Sequence, residues 1–204
     1  MFSHFSVLRS KQPPVAAAGF SLVELIVSIG IMVLVLSVVI TQQGSFNSAV
    51  LLRSQAYEIA LSVRDTQLSA VSSINTGTGS ENFTAVIGVH FDQAFPNRYV
   101  VFVDADGDNF FDPVEQFGAT GIIDNRFEIV AVERDGSPVN ALSVTFERPD
   151  FDARFRDPLS TTLHQSGDAE IMIQPKGSPT GSACPIVRTV RITATGQVTV
   201  LDCP

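Results

Sequence analysis

One apolar run sets the terms for the whole chain. From Phe20 to Ile40, 21 residues carry a single charge, Glu24. At 1.5 Å per residue, a helix of that length crosses the roughly 30 Å hydrocarbon core of a bilayer. The rest of the 204 residues is of another kind. Acids number 21 and bases 13, for a net charge of −8. With hydrophobic residues at 45%, the chain is too apolar for a disordered protein. Its acidity gives it no general attraction for nucleic acid or anionic lipid, which argues against a DNA-coating role. Two cysteines are too few for a disulfide scaffold and cannot alone supply a four-thiolate metal site.

The N-terminus has the outward form of a secretory signal, with Arg9 and Lys11 ahead of an apolar run. Two features disagree. The run is longer than the roughly 7–15 residues of a signal core. The small residues Ala16-Ala17-Ala18-Gly19 precede the apolar core instead of following it. A cut there leaves the apolar helix as the new N-terminus.

Gly19-Phe20-Ser21-Leu22-Val23-Glu24-Leu25 strongly resembles the processing site of type IV pilins and type II secretion pseudopilins. The resemblance implies cleavage between Gly19 and Phe20 by a prepilin peptidase and N-methylation of Phe20. The leader 1–19 carries two bases and no acid, so its loss takes the net charge to −10. A carboxylate inside a membrane segment costs about 2.5–3.5 kcal/mol on insertion scales, so Glu24 needs a partner or a task. The family resemblance implies that it meets the N-terminal amine of a neighbouring subunit during filament assembly. An ion pair among apolar helices penalises wrong registers, which suits that task. The bland alternative is a carboxylate that snorkels or stays protonated.

Beyond Ile40 the chain turns polar without a break until Asn75. Phe46, Val50, Leu51, Ala56, Tyr57, Ala60, Leu61, Val63, Leu68 and Val71 recur at spacings dominated by three and four. That spacing predicts one helix over Phe20–Ser73 whose second half packs an apolar stripe on the globular body. Residues 20–40 form its membrane-spanning and filament-core half, and 41–75 its amphipathic half.

From Glu81 the period changes to two. Phe83–Phe91, Arg98–Val103, Phe127–Glu133, Leu142–Glu147, Ala169–Ile173, Ile186–Ala194 and Gln197–Leu201 read as strands separated by turn residues. The expectation is an α+β chain: a long N-terminal helix packed on an antiparallel β domain over 80–204. That architecture is similar to the pilin family, most closely its minor subunits of the GspH/FimT type. Cys184 and Cys203 bracket the last hairpin. A disulfide between them would close 18 intervening residues and stabilise by about 3 kcal/mol. A tight Thr195-Gly196 turn, however, would align residue 203 with 188 and not 184. Two free thiols are the alternative.

Asp104-Ala105-Asp106-Gly107-Asp108-Asn109-Phe110-Phe111-Asp112-Pro113-Val114-Glu115 places acids at loop positions 1, 3, 5, 9 and 12, with a backbone carbonyl at position 7. This is the ligand spacing of an EF-hand calcium loop, in which hard oxygens converge on the cation. The metal candidates are Asp104, Asp106, Asp108, the carbonyl of Phe110, Asp112 and Glu115, and the ion is Ca2+. Position 6 is Asn109 instead of glycine, and Asn is the next most tolerant of a left-handed backbone. A strand precedes the loop, so the expectation is a structural clip and not a helix-opening switch. The alternative is an ordinary solvated Asp/Gly turn.

No glycine-rich phosphate loop, zinc-ligand spacing or G-x-S-x-G elbow is present. His90 alternates with Val89 and Phe91 and reads as a strand-face residue. Arg148, Arg154 and Arg156 lie among Glu147, Asp150, Asp152 and Asp157 and read as a salt-bridged loop. FimT-like minor pilins are associated with DNA uptake through C-terminal basic residues, for which Arg188 and Arg191 are the candidates. Their spacing of three puts them on opposite faces of a strand.

The sequence therefore points to a non-enzymatic minor pilin or pseudopilin subunit. Its partners would be other pilin or pseudopilin subunits, the prepilin peptidase, the inner-membrane assembly machinery and the membrane. It would start as a single-pass inner-membrane protein and end in a surface pilus or a periplasmic pseudopilus. The alternatives are a DNA-binding pilin and a membrane-tethered calcium-binding module that does not polymerise.

Overall fold

The computed structural model describes residues 19, 21–72, 85–160, 162–179 and 187–202, with side chains described for all of these except 41–47. Phe20, Cys184 and Cys203 lie outside the described residues, and with them the expected cleavage junction and the candidate disulfide.

A 50-residue helix, α1, runs Leu22–Val71. No proline interrupts this span, and Leu, Ala, Arg and Gln favour helix. At its start the Leu25 amide donates to the Ser21 carbonyl at 3.1 Å. Its last turn carries no basic residue of its own. Instead Arg148 Nε, from a distant loop, donates to the Val71 carbonyl at 3.0 Å and satisfies one of the orphan acceptors there.

The chain divides into two compact units at Gly44 and Ser45. In the first, Leu22–Ile40 has a mean hydropathy of 2.8, is exposed throughout, and is long and apolar enough to cross a membrane.

Among the described residues of the second unit, ten antiparallel strands form two five-stranded sheets. They are β1 Val86–Asp92, β2 Arg98–Asp104, β3 Gly121–Ile122, β4 Phe127–Arg134, β5 Ser137–Pro138, β6 Ala141–Phe146, β7 Ala153–Arg156, β8 Asp168–Pro175, β9 Arg188–Thr193 and β10 Val198–Asp202. The first sheet has the order β3-β2-β1-β6-β7 and the second β10-β9-β8-β4-β5. Alternation decides which side chains go inward. Ile87, Val89 and Phe91 stand opposite Phe146, Val144 and Leu142. In the second sheet Ile171 faces Val132 and Val190 on its two neighbours. A bulge between Ile129 and Ala131 keeps both Ile129 and Val132 buried. These faces share one core with Leu52, Ala56, Ile59 and Val63 of α1.

The α+β architecture is as expected, but several details differ. Val50, Tyr57, Leu61 and Leu68 were expected in the packed stripe and are instead exposed. They also repeat at helical spacing, on the side away from Leu52, Ile59 and Val63, so the helix has two apolar faces and periodicity alone could not rank them. Polar Gln55 and Gln67 occupy the buried face because the core offers them partners. Gln55 Oε1 accepts from the Asp124 amide at 3.0 Å, and Gln67 Nε2 donates to the carbonyls of Phe151 and Gly196 at 2.6 and 3.0 Å.

The expected loop around Arg148–Arg156 contains strand β7. Ala153 and Phe155 point into the core, and the intervening Arg154 pairs with Glu147. Two inward residues are too few to register as a period. The last turn is wider than a tight Thr195-Gly196 reversal, so Arg188 pairs with Asp202 and not with position 203. Gly196 sits there at φ +74°, where a Cβ would lie 1.8 Å from the Phe151 carbonyl oxygen.

Candidate functional site

Asp104 ends β2 and opens the acidic loop. It is buried, and its two carboxylate oxygens accept from the amides of Gly107 at 2.8 Å and Asn109 at 3.0 Å. Asp106 accepts from the Asp108 amide at 3.2 Å, and Asp108 from the Phe110 amide at 2.6 Å. Each of these turns brings a carboxylate back over the loop. Gly107 and Asn109 supply the left-handed residues, at φ +81° and +62°. Asn109 thus takes the backbone expected of position 6 without being glycine. Its side-chain oxygen accepts from Thr145 Oγ1 at 3.0 Å, which anchors the loop on β6.

Asp104, Asp106 and Asp108 converge, each offering an oxygen within 4.8 Å of the others. Asp112 and Glu115 fall outside that cluster. The buried Glu115 carboxylate accepts from the Ala105 amide at 2.7 Å and the Asp112 amide at 3.1 Å, so it ties the two ends of the loop together. Phe110 turns its ring onto His90. The expected ligand set is therefore brought together only in its first three carboxylates.

Burial pushes the Asp104 carboxyl above its ordinary value, with Glu115 and Asp106 adding to the push and the Gly107 and Asn109 amides opposing it. The charge on Asp104 is thus disfavoured where it stands. A hard cation taking oxygen ligands fits such a donor set and would relieve that cost.

On the outer face of the first sheet, His90 is buried beneath the same loop. Its Nδ1 lies 2.9 Å from Ser143 Oγ, and the rings of Phe110 and Phe111 pack on it at 5.2 and 5.0 Å between centroids. Burial drives its pKa down to about 4, against a smaller upward pull from Asp92. Phe111 also touches Phe102, whose ring crosses β1 over Gly88. A Cβ on Gly88 would come within 2.8 Å of that ring. Beside His90 lies a cleft of about 600 Å³. The strand-face reading of His90 was right about its place but missed its cover. The signal was the Phe110-Phe111 pair itself, two apolar residues inside an acidic loop.

In the first unit Gly19 is exposed and Glu24 lies in the first turn of α1. The serines of the apolar span turn inward to the backbone: Ser28 donates to the Glu24 carbonyl at 2.7 Å and Ser37 to the Leu34 carbonyl at 2.8 Å. Hydroxyls so satisfied cost little in an apolar medium.

Arg188 and Arg191 are both engaged by acids. Arg188 lies 3.1 Å from Asp202, its cross-strand partner. Arg191 lies 2.6 Å from Glu170, its partner on β8, and 3.9 Å from Asp168. Neither offers phosphate an uncompensated cation.

Compared with protein-family models, with curated proteins and with solved structures, the chain matches none.

Proposed function

We propose that the protein is a structural minor pilin or pseudopilin subunit, inserted as a single-pass prepilin, cut after Gly19 and assembled through its N-terminal helix. The observation that carries this reading is the junction Gly19-Phe20 with Glu24 four residues on, opening an exposed apolar span that continues as the helix of a β domain. The apolar span serves first as membrane anchor and then as filament core. Glu24 supplies the charge that selects register against the amine of a neighbouring subunit. The exposed Val50, Tyr57, Leu61 and Leu68 extend an apolar surface along the second part of the helix, where adjoining subunits would pack. In the same reading the Asp104–Asp106–Asp108 loop is a calcium clip that holds the outer face of the first sheet.

The test is Glu24→Ala in a cell that makes the filament. Membrane insertion should persist, because removing a charge makes the span more apolar, while incorporation into filaments falls at least tenfold. Normal incorporation would defeat the assembly role. DNA uptake is a separate reading that the paired state of Arg188 and Arg191 does not favour.

A further inference from the structure

The cleft beside His90 has the size and lining of a small-molecule site, about 600 Å³ with aromatic walls and few polar groups. Its floor is the outer face of β1, β2 and β6, and its wall is Phe110, Phe111 and Pro113 of the acidic loop. Two opposite charges stand at it, Asp92 and Arg98. Asp92 accepts from the Ala94 amide at 2.8 Å, and the Arg98 guanidinium lies over the Phe95 ring at 4.1 Å. They leave the site without net charge, so it is suited to an uncharged ligand.

The polar group that matters is His90, which is 93% buried. Ser143 Oγ already accepts from the Phe111 amide at 3.2 Å. Among the described residues, the acceptor within reach of the Ser143 hydroxyl proton is His90 Nδ1, at 2.9 Å. That bond makes Nδ1 the acceptor, and an uncharged imidazole then carries its proton on Nε2. Nε2 has no hydrogen-bond partner among the described residues, and the ring lines the cleft. That donor is open to the cleft, where a ligand acceptor can take its hydrogen bond in place of water.

We propose that this cleft binds an uncharged aromatic molecule carrying a carbonyl group, with its ring among Phe110, Phe111 and Pro113 and its oxygen accepting from His90 Nε2–H. Ser143 is a positioning residue, acting through the tautomer of His90. Asp92 and Arg98 select against charged relatives of the same ligand.

Benzamide, uncharged and water-soluble, is the probe. The full chain is held in detergent micelles and the imidazole nitrogens of His90 are followed by 15N NMR. The wild-type spectrum should show a proton on Nε2, and benzamide should give saturable shifts at His90, Phe110 and Phe111. His90→Phe keeps the apolar bulk, loses the donor, and should weaken binding about three- to tenfold, the usual worth of one hydrogen bond. Benzoate should bind less well than benzamide. The proposal is overturned by a proton on Nδ1, by shifts confined to Leu22–Ile40 (partition into the micelle), by the absence of saturable shifts up to the solubility limit of the probe, or by unchanged affinity in His90→Phe. Should that variant fail to fold, the tautomer and the shifts in the wild-type protein decide.

Discussion

Asp157 lies just past β7 in the first sheet, and Arg134 ends β4 in the second. Arg134 Nε and Asp157 Oδ2 are 3.2 Å apart, with the Asp157 side chain 5% exposed and that of Arg134 20% exposed. The other oxygen of Asp157 accepts from the amides of Leu159 at 3.0 Å and Ser160 at 2.8 Å. Asp157→Ala removes the oxygen that accepts from both amides and leaves a mostly buried guanidinium without its nearest acid. Breaking a buried pair costs about 3–5 kcal/mol, and two lost hydrogen bonds add about 0.5–1.5 kcal/mol each. Against this, Arg134 is partly exposed and has Asp135 within 3.7 Å as a second partner. The expected loss is therefore about 3–4 kcal/mol. Asp157→Asn keeps an acceptor for the amides and should cost about 1–2 kcal/mol. The pair with Arg134→Met should be less than additive by at least about 1 kcal/mol, because each single change strands a charge that the double change does not. Urea unfolding followed by circular dichroism measures these variants together with Arg134→Met alone, since the chain has no Trp to report by fluorescence. A loss below about 0.5 kcal/mol for Asp157→Ala, or full additivity, would refute the claim that this contact pins the two sheets.

Calcium titrated calorimetrically into the full chain should reveal one site, with Kd in the range of about 0.1–1 mM usual for extracellular modules. Asp104→Asn should abolish that heat, whereas Asp112→Asn should leave it. Stability should also depend on pH through His90. Its folded pKa of about 4 lies below the ordinary 6.5, so the unfolded chain takes up the proton first. Stability present above about 6.5 is lost as pH falls towards 4, by roughly 3 kcal/mol in all, and His90→Phe should flatten that slope in pH-dependent urea melts. Asp104 acts with the opposite sign. Its raised pKa means that its contribution is present at low pH and lost as pH rises through the folded value, and calcium should remove that loss.

Local signals in the sequence account for the long helix and the longer strands. Leu22–Val71 and the hairpin β1–β2 announce themselves by period and by the turn Phe95-Pro96-Asn97. The division into two sheets does not, because it rests on non-local pairs such as Ile87 with Phe146 and Ile173 with Arg188. Nor could spacing separate the two apolar faces of the helix, since both Leu52–Ile59 and Val50–Tyr57 satisfy it. At the acidic loop, spacing indicated Asp104, Asp106 and Asp108 but not the fate of Glu115. That carboxylate is held by the amides of Ala105 and Asp112, a competition between backbone and cation that only the folded loop displays. The burial of His90 was hidden for a similar reason, because its cover comes from a loop twenty residues later.

The claim that the chain is a processed, filament-borne subunit is tested most directly by intact mass and N-terminal peptide analysis. Sheared surface filaments and membranes would be compared from cells with and without the prepilin peptidase. The account predicts a species starting at methylated Phe20 in cells that have the peptidase, carried in filaments or, for a short pseudopilus, retained with the membrane. An uncut chain retaining Met1–Gly19 in both strains would contradict it, and the assembly role of Glu24 would fall with it.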